Sequence, residues 1–575
     1  MLYVKHTKVF KRKIIFCIYL FLSLLVLFRY YKLQIIDYEK YKLLGEKNSI
    51  SPRILNAPRG IIYDRNELPI VDNKFIYAIN LIPNNFDQNS FNYKLLYDIA
   101  GIERTYIDSI LNSSKKKSSR FKQHLIKRHI NFKTKSILDE NKLDLKGIYF
   151  SEFPIRTFTK DCQLSHVLGY LREHDKGKTI PFNGLEKVYE NILKGNDGVE
   201  YHMVDSRGID QGIIDFENKN FIPEQGKNLL LTIDIKLQSF CEKLIKDKKG
   251  SIIVMNPSNG EILSMFSFPD FSLNSFIGPI THDRWKELID NKSNIFLNRS
   301  VQSTYPPGSI FKLILAAIVL DKNIITENWK VNCQGEYQFF DTSFQCWKEG
   351  GHGVVNLNQA IHQSCNIYFY NLMQKIDFDL WSEHVRNFGF GRITGIDLTS
   401  EKGGLVPDVK TMNEFYKESG GWSKGHLLNL SIGQGETLVT PIQINNLMNF
   451  ICNNGVAYTP HFNKEISASK QFINYDQHVW NTIKKAMYDA VYKKGGTAYN
   501  AKIEINKGKV FGKTGTVQVC SNCDISPHAW FAGFIESSNA KKYSVSIIIE
   551  NGGKGSNIPT KLAKKIFEFL IENDI

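Results

Sequence analysis

The sequence predicts an α+β protein. A membrane anchor comes first, then an extended mixed α/β pedestal, then a domain with an antiparallel sheet, flanking helices and a helical subdomain. Three observations carry this. A basic stretch followed by an uncharged apolar run opens the chain, and a polar, Lys/Asn-rich region of mixed periodicity follows. From about residue 228 the pattern becomes strand, helix, hairpin, helical block, strands, helix, the order of a layered antiparallel domain. With 575 residues the chain is too long for one core, so two or three domains are expected.

The anchor rests on charge and length. Lys5, Lys8, Lys11, Arg12 and Lys13 precede residues 14–28, which carry no charge and are closed by Arg29. A bilayer span needs about 20 residues, and this run is shorter. Tyr30 and Tyr31 sit well at an interface, and Lys13 and Arg29 can snorkel, which lengthens the usable segment. A cleaved signal peptide needs small residues at its cleavage site, and Arg29-Tyr30-Tyr31-Lys32-Leu33-Gln34 offers none. We therefore expect a cytoplasmic basic tail at 1–13 and a single-pass signal anchor at 14–31. The pedestal then covers 32–227 and the C-terminal domain 228–575, both outside the cytoplasm.

Within that last domain, an apolar run at 229–233 leads into a helical pattern at 235–246. Residues 250–255 and 261–265 flank the turn Asn256-Pro257-Ser258-Asn259-Gly260, a hairpin signal. A long helical middle follows. Strand patterns return at 509–519, 529–535 and 543–550, and an amphipathic helix closes the chain at 559–572.

The formal net charge of +15 raises the question of nucleic acid. No Arg-rich helix, zinc-finger spacing or aromatic single-strand platform accompanies it, and runs such as 115–117 read as solvated faces. Nucleic acid is therefore not expected as a partner.

Three short patterns carry chemistry: Ser309-Ile310-Phe311-Lys312, Ser364-Cys365-Asn366 and Lys513-Thr514-Gly515. The first two have decoys, with Ser-x-x-Lys also at Ser113, Ser114, Ser119 and Ser467, and Ser-x-Asn at Ser90, Ser272 and Ser537. Ser309 differs by context. It follows Tyr305-Pro306-Pro307-Gly308 and opens an apolar helical run, which puts it in the first turn of a helix with Lys312 one turn on. A serine hydroxyl needs an adjacent base, and a lysine serves only when burial or a neighbouring cation lowers its pKa. An ordinary N-cap serine beside a solvated lysine gives the same letters. Lys513-Thr514-Gly515-Thr516 tips the balance: it lies in an alternating strand, where glycine permits close approach and lysine offers charge to a carboxylate. All three patterns, in this order, are the combination of penicillin-interacting enzymes.

Through these motifs the chain resembles the class B penicillin-binding proteins, and among them the penicillin-binding protein 2 group, the transpeptidases of cell elongation. The resemblance extends to Ala57-Pro58-Arg59-Gly60-Ile61-Ile62-Tyr63-Asp64-Arg65-Asn66, Leu164-Ser165-His166-Val167-Leu168-Gly169-Tyr170 and Gly184-Leu185-Glu186 in the pedestal. In the C-terminal half it includes residues 388–397 and Leu428-Asn429-Leu430-Ser431-Ile432-Gly433-Gln434-Gly435. Glu67 stands where the family usually has glycine, and Ile310 and Asn366 are minor variants.

The resemblance implies a transpeptidase domain of the serine β-lactamase-like fold and a role for each motif residue. Ser309 is the nucleophile toward D-Ala-D-Ala stem peptides and β-lactams, Lys312 its base, and Ser364 a proton shuttle organised by Asn366 and Lys513. Thr514 and Lys513 receive the carboxylate, while Gly515 and Thr516 complete the strand that binds substrate. The backbone N–H groups of Ser309 and Thr516 would form the oxyanion hole. It also implies a SEDS-type glycan polymerase of the RodA kind as partner at the inner membrane, with catalysis on the periplasmic side. No organic cofactor is expected.

Nine cysteines in an exported chain raise disulfides first. Cys333, Cys346, His352 and Cys365 nevertheless make a tetrahedral zinc set by chemistry, without the usual short Cys-x-x-Cys spacing; disulfides and buried free thiols stay open. The resemblance implies a structural zinc, since Phe344-Gln345-Cys346-Trp347 and Gly351-His352-Gly353 are similar to the family's ligand segments. Cys520 and Cys523 read as a local disulfide or a pair of thiols.

Other classes fit less well. A β-lactamase or sensor has no need of the pedestal, and the sequence shows no dedicated deacylating base. A septal transpeptidase lacks a reason for the Cys/His cluster. A scaffold without catalysis has no use for an intact set of serines and lysines.

Overall fold

A computed structural model describes residues 2–41, 50–114, 120, 123–173, 179–205, 210–214, 220–278, 280–519 and 524–575. The lysines at 115–117 and the pair Cys520 and Cys523 lie outside these residues. The chain forms two compact units that alternate along the sequence. The first comprises Met1–Arg59, Lys74–Ile155 and Gly195–Gly226, and the second Gly60–Asn73, Arg156–Lys194 and Lys227–Ile575.

In the first unit, helix α1 (Leu2–Tyr31) continues into a short π-helical turn at Lys32–Ile36. The stretch Phe10–Ile36 is long and apolar enough to cross a membrane, so the usable span exceeds the uncharged run at 14–28. A three-stranded antiparallel sheet joins Ile50–Leu55, Gly198–Val204 and Asp210–Ile213. A separate small core gathers Leu81, Leu96, Ile107, Ile126 and Leu138 from one strand end, three helices and the strand His124–Ile130.

The second unit holds segments distant in sequence because they share apolar surface. Ile62, Val71, Leu168, Leu185 and Leu193 pack with Leu231, Ile233 and Ile253. Leu229–Leu230 pairs in parallel with Ile62–Tyr63. Arg156 donates to Glu186 at 2.8 Å and to the carbonyl of Gly60, with side chains 4% and 1% exposed across the ion pair. Glu67 takes the left-handed conformation that glycine favours, at φ 63. The Asp64 carboxylate accepts the N–H groups of Asn66 and Leu68 and so holds that turn.

The sheet of this unit has five antiparallel strands. Helix α2 (Ile235–Ile245), capped by Asp234, precedes β1 (Gly250–Met255) and β2 (Ile262–Phe268), the expected hairpin. After the helical region come β3 (Gly508–Val517), β4 (His528–Ser537) and β5 (Lys542–Ile549), then helix α3 (Ile558–Glu572). The spatial order is β2-β1-β5-β4-β3, so β3 lies on an edge. Alternate residues face opposite layers: Phe531 packs with α2 and α3 through Leu237 and Phe567, while Trp530 and Ala532 join the helical core. Both faces are covered, which is why these strands read as near-continuous apolar runs.

Candidate active site and metal centre

The three motifs converge within the second unit. Gly308 takes φ 58 and starts a 3-10 turn, Gly308–Ile310, that carries Ser309; the α-helix begins only at Lys312 (Lys312–Asp321). Ser309 thus lies in the first turn of a helix, as expected, and that turn is of the tighter 3-10 type. Two prolines and the left-handed glycine bend the chain there, and the turn is fixed from outside. Gly308 N–H donates to Gly433 O at 2.8 Å, and Tyr305 exchanges both backbone bonds with Val439. A Cβ on Gly433 would lie 2.2 Å from Gly308 O, so only glycine allows this approach.

Lys312 and Lys513 are both 0% exposed. Lys312 Nζ donates to Ser364 O at 2.9 Å and Asn366 Oδ1 at 2.7 Å, and lies 3.4 Å from Ser364 Oγ. Lys513 Nζ donates to Ser364 Oγ at 3.1 Å and to Thr514 O at 2.9 Å. Among the described residues, Ser309 Oγ takes no part in these bonds, and Lys312 reaches across to the Ser-x-Asn loop instead. Burial holds the Lys312 ammonium down at about 8. Burial, with Lys312 as a neighbouring cation, pushes Lys513 well below the usual lysine range.

Ser364 is itself unusual, a non-glycine residue at φ 58 and 6% exposed. Asn366 begins the helix Asn366–Met373, and its Nδ2 donates to Gln345 O at 3.3 Å. On the edge strand, Lys513, Thr514, Gly515 and Thr516 pair with Ala532, Phe531, Trp530 and Ala529. A Cβ on Gly515 would come 3.0 Å from Pro307 O, which shows how closely β3 meets the Ser309 segment. Thr514 is buried, Thr516 is exposed, and Thr516 Oγ1 accepts Gly555 N–H at 3.1 Å. Two of the decoy serines spend their hydroxyls locally, Ser90 on Asp87 and Ser113 on Ile110 O.

Cys333, Cys346, His352 and Cys365 come together with all four donor atoms within 4.8 Å of one another. His352 Nδ1 is 3.5 Å from both Cys333 Sγ and Cys346 Sγ. Zinc with bonds of about 2.3 Å to sulfur and 2.0–2.1 Å to nitrogen has a tetrahedral N···S edge of about 3.6 Å, so the donors fit that ion. The strands Val331–Cys333 and Gly353–Val355 pair, and Gly351 at φ 80 would place a Cβ 2.1 Å from Cys333 O. The Cys365 thiol and His352 hold Cys346 toward its thiolate, the form a metal binds.

Comparison with known proteins decides the family. The penicillin binding protein transpeptidase domain matches residues 250–568, and the penicillin-binding protein dimerisation domain matches 54–231. The chain belongs to the penicillin-binding protein transpeptidase family. The peptidoglycan D,D-transpeptidase MrdA of Haemophilus influenzae is 27% identical, over 94% of this chain and 88% of its own. Stage V sporulation protein D of Bacillus subtilis is 30% identical, over 80% of this chain and 69% of its own. The solved complex between penicillin-binding protein PBP2 and MreC from Helicobacter pylori superposes with TM-score 0.78 at 29% identity, over 91% of this chain and 99% of that one.

Three features of this penicillin-binding protein escaped the motif reading. Gly433 locks the Ser309 turn; its sequence signal was the Ser-Ile-Gly-Gln-Gly run, which resemblance marked without a role. Glu550 accepts from buried Arg299 at 2.8 Å and from Tyr305 at 2.7 Å, bracing the residue before Pro306, with no local signal at all. Trp347, next to Cys346, donates its indole N–H to the Ser-x-Asn loop.

Proposed function

We propose that this penicillin-binding protein is an elongation-type peptidoglycan D,D-transpeptidase, with Ser309 attacking the D-Ala-D-Ala end of a stem peptide and reacting covalently with penicillin. The observation that carries the reading is the buried hydrogen-bonded set of Lys312, Ser364, Asn366 and Lys513 beside the Ser309 turn. A neutral lysine has two N–H hydrogens and one lone pair. In Lys312 the hydrogens go to Ser364 O and Asn366 Oδ1, oxygens that only accept, which leaves the lone pair for a hydroxyl proton.

In this scheme Ser309 Oγ bonds to the carbonyl carbon while Lys312 takes its proton. The bond to the last D-alanine breaks, and Ser364, held by Lys513 and Asn366, passes a proton to the departing nitrogen. Lys513 and Thr514 receive the terminal carboxylate, Gly515 lets substrate approach β3 closely, and the N–H groups of Ser309 and Thr516 receive the oxyanion. The amine of a neighbouring stem peptide then takes the acyl group in place of water.

Cys333, Cys346, His352 and Cys365 would hold a zinc. Its chemistry would be structural: neutralising thiolates and tying the loop that bears Ser364 to the strands at 331–333 and 353–355. The basic tail lies in the cytoplasm, α1 crosses the inner membrane, and the catalytic domain works in the periplasm. A SEDS-type glycan polymerase of the RodA kind is the partner at the anchor and pedestal. The H. pylori relative solved with MreC supports a place in an elongation assembly.

Intact mass after incubation with a penicillin tests the proposal, with Ser309→Ala beside wild type. A stable mass gain of one penicillin, absent in the variant and slowly lost, is expected. A folded wild-type protein that gains no mass overturns the reading in favour of a scaffold.

A further inference from the structure

Trp347 lies in the Cys346–Gly353 segment but directs its polar edge at the reactive loop. Its Nε1–H donates to the carbonyls of Gln363 and Ser364, each at 3.0 Å. Among the described residues the Ser364 carbonyl has one other side-chain donor, Lys312 Nζ at 2.9 Å. A carbonyl oxygen has two lone pairs, so indole and lysine between them fill it. Ser364 occupies the left-handed region at φ 58, and a non-glycine residue stays there only when its surroundings hold it. Its own N–H reaches Ile361 O at 3.2 Å, and its carbonyl is held by those two donors.

Burial does not explain the tryptophan. Trp347 is 57% exposed, whereas Trp381, Trp480 and Trp530 are 0–1% exposed. What fixes Trp347 is the bifurcated N–H and the edge contact of its ring with His352, centroids 5.4 Å apart. The polar tip, not the apolar body, is therefore the part the fold uses.

We propose that Trp347 is a positioning residue for the acylation step. Its indole N–H fixes the Ser364 peptide group, so that Lys312 keeps its carbonyl acceptor and its lone pair stays directed at the reacting hydroxyls. Among the described residues Trp347 shares no hydrogen bond with Ser309 or Lys312, and it acts through Ser364. The inference rests on the transpeptidase reading and predicts an effect on the rate of bond formation, not on how tightly the ligand is first held.

The test replaces the hydrogen-bond donor and keeps the ring, in full-length metal-loaded protein. Trp347→Phe removes the N–H, and β-(3-benzothienyl)alanine in place of Trp347 keeps the bicyclic shape with sulfur where nitrogen was. Stopped-flow acylation by a fluorescent penicillin separates the first-order acylation constant from the dissociation constant of the preceding complex, and metal content is measured on the same samples. Loss of one hydrogen bond of ordinary strength corresponds to about a tenfold fall in the acylation constant. That fall in both proteins, with the dissociation constant unchanged within about twofold and zinc retained, is the expected result. A wild-type acylation constant in the benzothienylalanine protein overturns the proposal. So does an effect confined to the dissociation constant, or one accompanied by loss of zinc. Failure of the wild-type protein to acylate overturns the transpeptidase reading itself, and this inference with it.

Discussion

Replacing Gly433 with alanine adds one methyl group and tests whether the Ser309 turn is positioned from the neighbouring loop. Gly433 sits at φ 69, where an L-residue costs about 1–2 kcal/mol. Its Cβ would lie 2.2 Å from Gly308 O, while carbon and oxygen need about 3.3 Å. The two backbones must therefore part by about 1 Å, and the 2.8 Å bond from Gly308 N–H to Gly433 O stretches or breaks, a further loss of about 1 kcal/mol. The turn has little room to retreat, because Val517 Cγ2 lies 2.8 Å from where a Cβ on Gly308 would stand. A total of about 2–3 kcal/mol is small against a domain stability of about 5–15 kcal/mol, so Gly433→Ala folds. A nucleophile misplaced by about 1 Å, however, loses about 100-fold in rate. Timed acylation by a fluorescent penicillin, with thermal unfolding on the same preparation, measures both. A variant that unfolds a few degrees early yet acylates within about threefold of wild type would refute the reasoning, since the turn would then not depend on Gly433.

Four further predictions concern Lys312, the metal centre and Glu550. Burial lowers Lys312 to about 8, and its neutral form is the base, so the acylation rate should rise about tenfold per pH unit below 8 and level off above; a flat profile from pH 6 to 9.5 contradicts this. The same shift makes the native state bind fewer protons than the unfolded chain between about 8 and the ordinary lysine value of 10.5, so this group's contribution to stability rises with pH in that window. Cys346→Ser should abolish stoichiometric zinc and lower Tm; elemental analysis showing unchanged metal would remove Cys346 from the ligand set. Glu550→Ala removes the carboxylate that accepts from Arg299, 3% exposed, and leaves that arginine, among the described residues, with the Ser293 and Asn294 carbonyls, so it should cost about 3 kcal/mol, the low end for a broken buried pair, or roughly 6–12 °C in Tm; scanning calorimetry checks it.

Much of the fold was legible because local signals agreed with tertiary ones. The hairpin, the three late strands and the closing helix lie within about three residues of the expected positions, the largest difference being the second hairpin strand, which runs on to Phe268, since apolar periodicity and turn residues both mark them. The four motif side chains around Ser364 were legible as a set, and the Cys/His quartet was legible by donor type. What the sequence could not supply is set by long-range contact. Nothing local says that residues 60–73 and 156–194 pack with the C-terminal domain, because the reason is shared apolar surface and the Arg156–Glu186 pair. That the helical turn at Ser309 is of the 3-10 type had no local signal, and its Gly308 N–H is held by Gly433, far along the chain. Glu67 shows the converse: a residue that looks wrong for its turn is accommodated by the Asp64 side chain two and four residues from its partners.

The reactive groups share a physical signature. Gly308, Ser364 and Gly433 all lie at positive φ, and both lysines are wholly removed from water. A left-handed non-glycine residue opposes stability locally by about 1–2 kcal/mol, and burial of an ammonium by enough to lower its pKa. Such features persist only where the surroundings leave no alternative. Here part of the restraint comes from main-chain acceptors: Gly433 O for the Ser309 turn and Ser364 O for Lys312, both on other elements, and Thr514 O, on the same strand, for Lys513. Those partners are peptide groups, and substitution cannot remove a peptide group. The side chains that do the chemistry can therefore be named from short motifs, while the strain that tunes them is distributed over main chain that no motif records. It follows that mutations most damaging to catalysis at least cost in stability should cluster at residues whose only task is to let two backbones meet, with Gly433 the clearest instance and Gly515, where a Cβ would stand 3.0 Å from Pro307 O, the next.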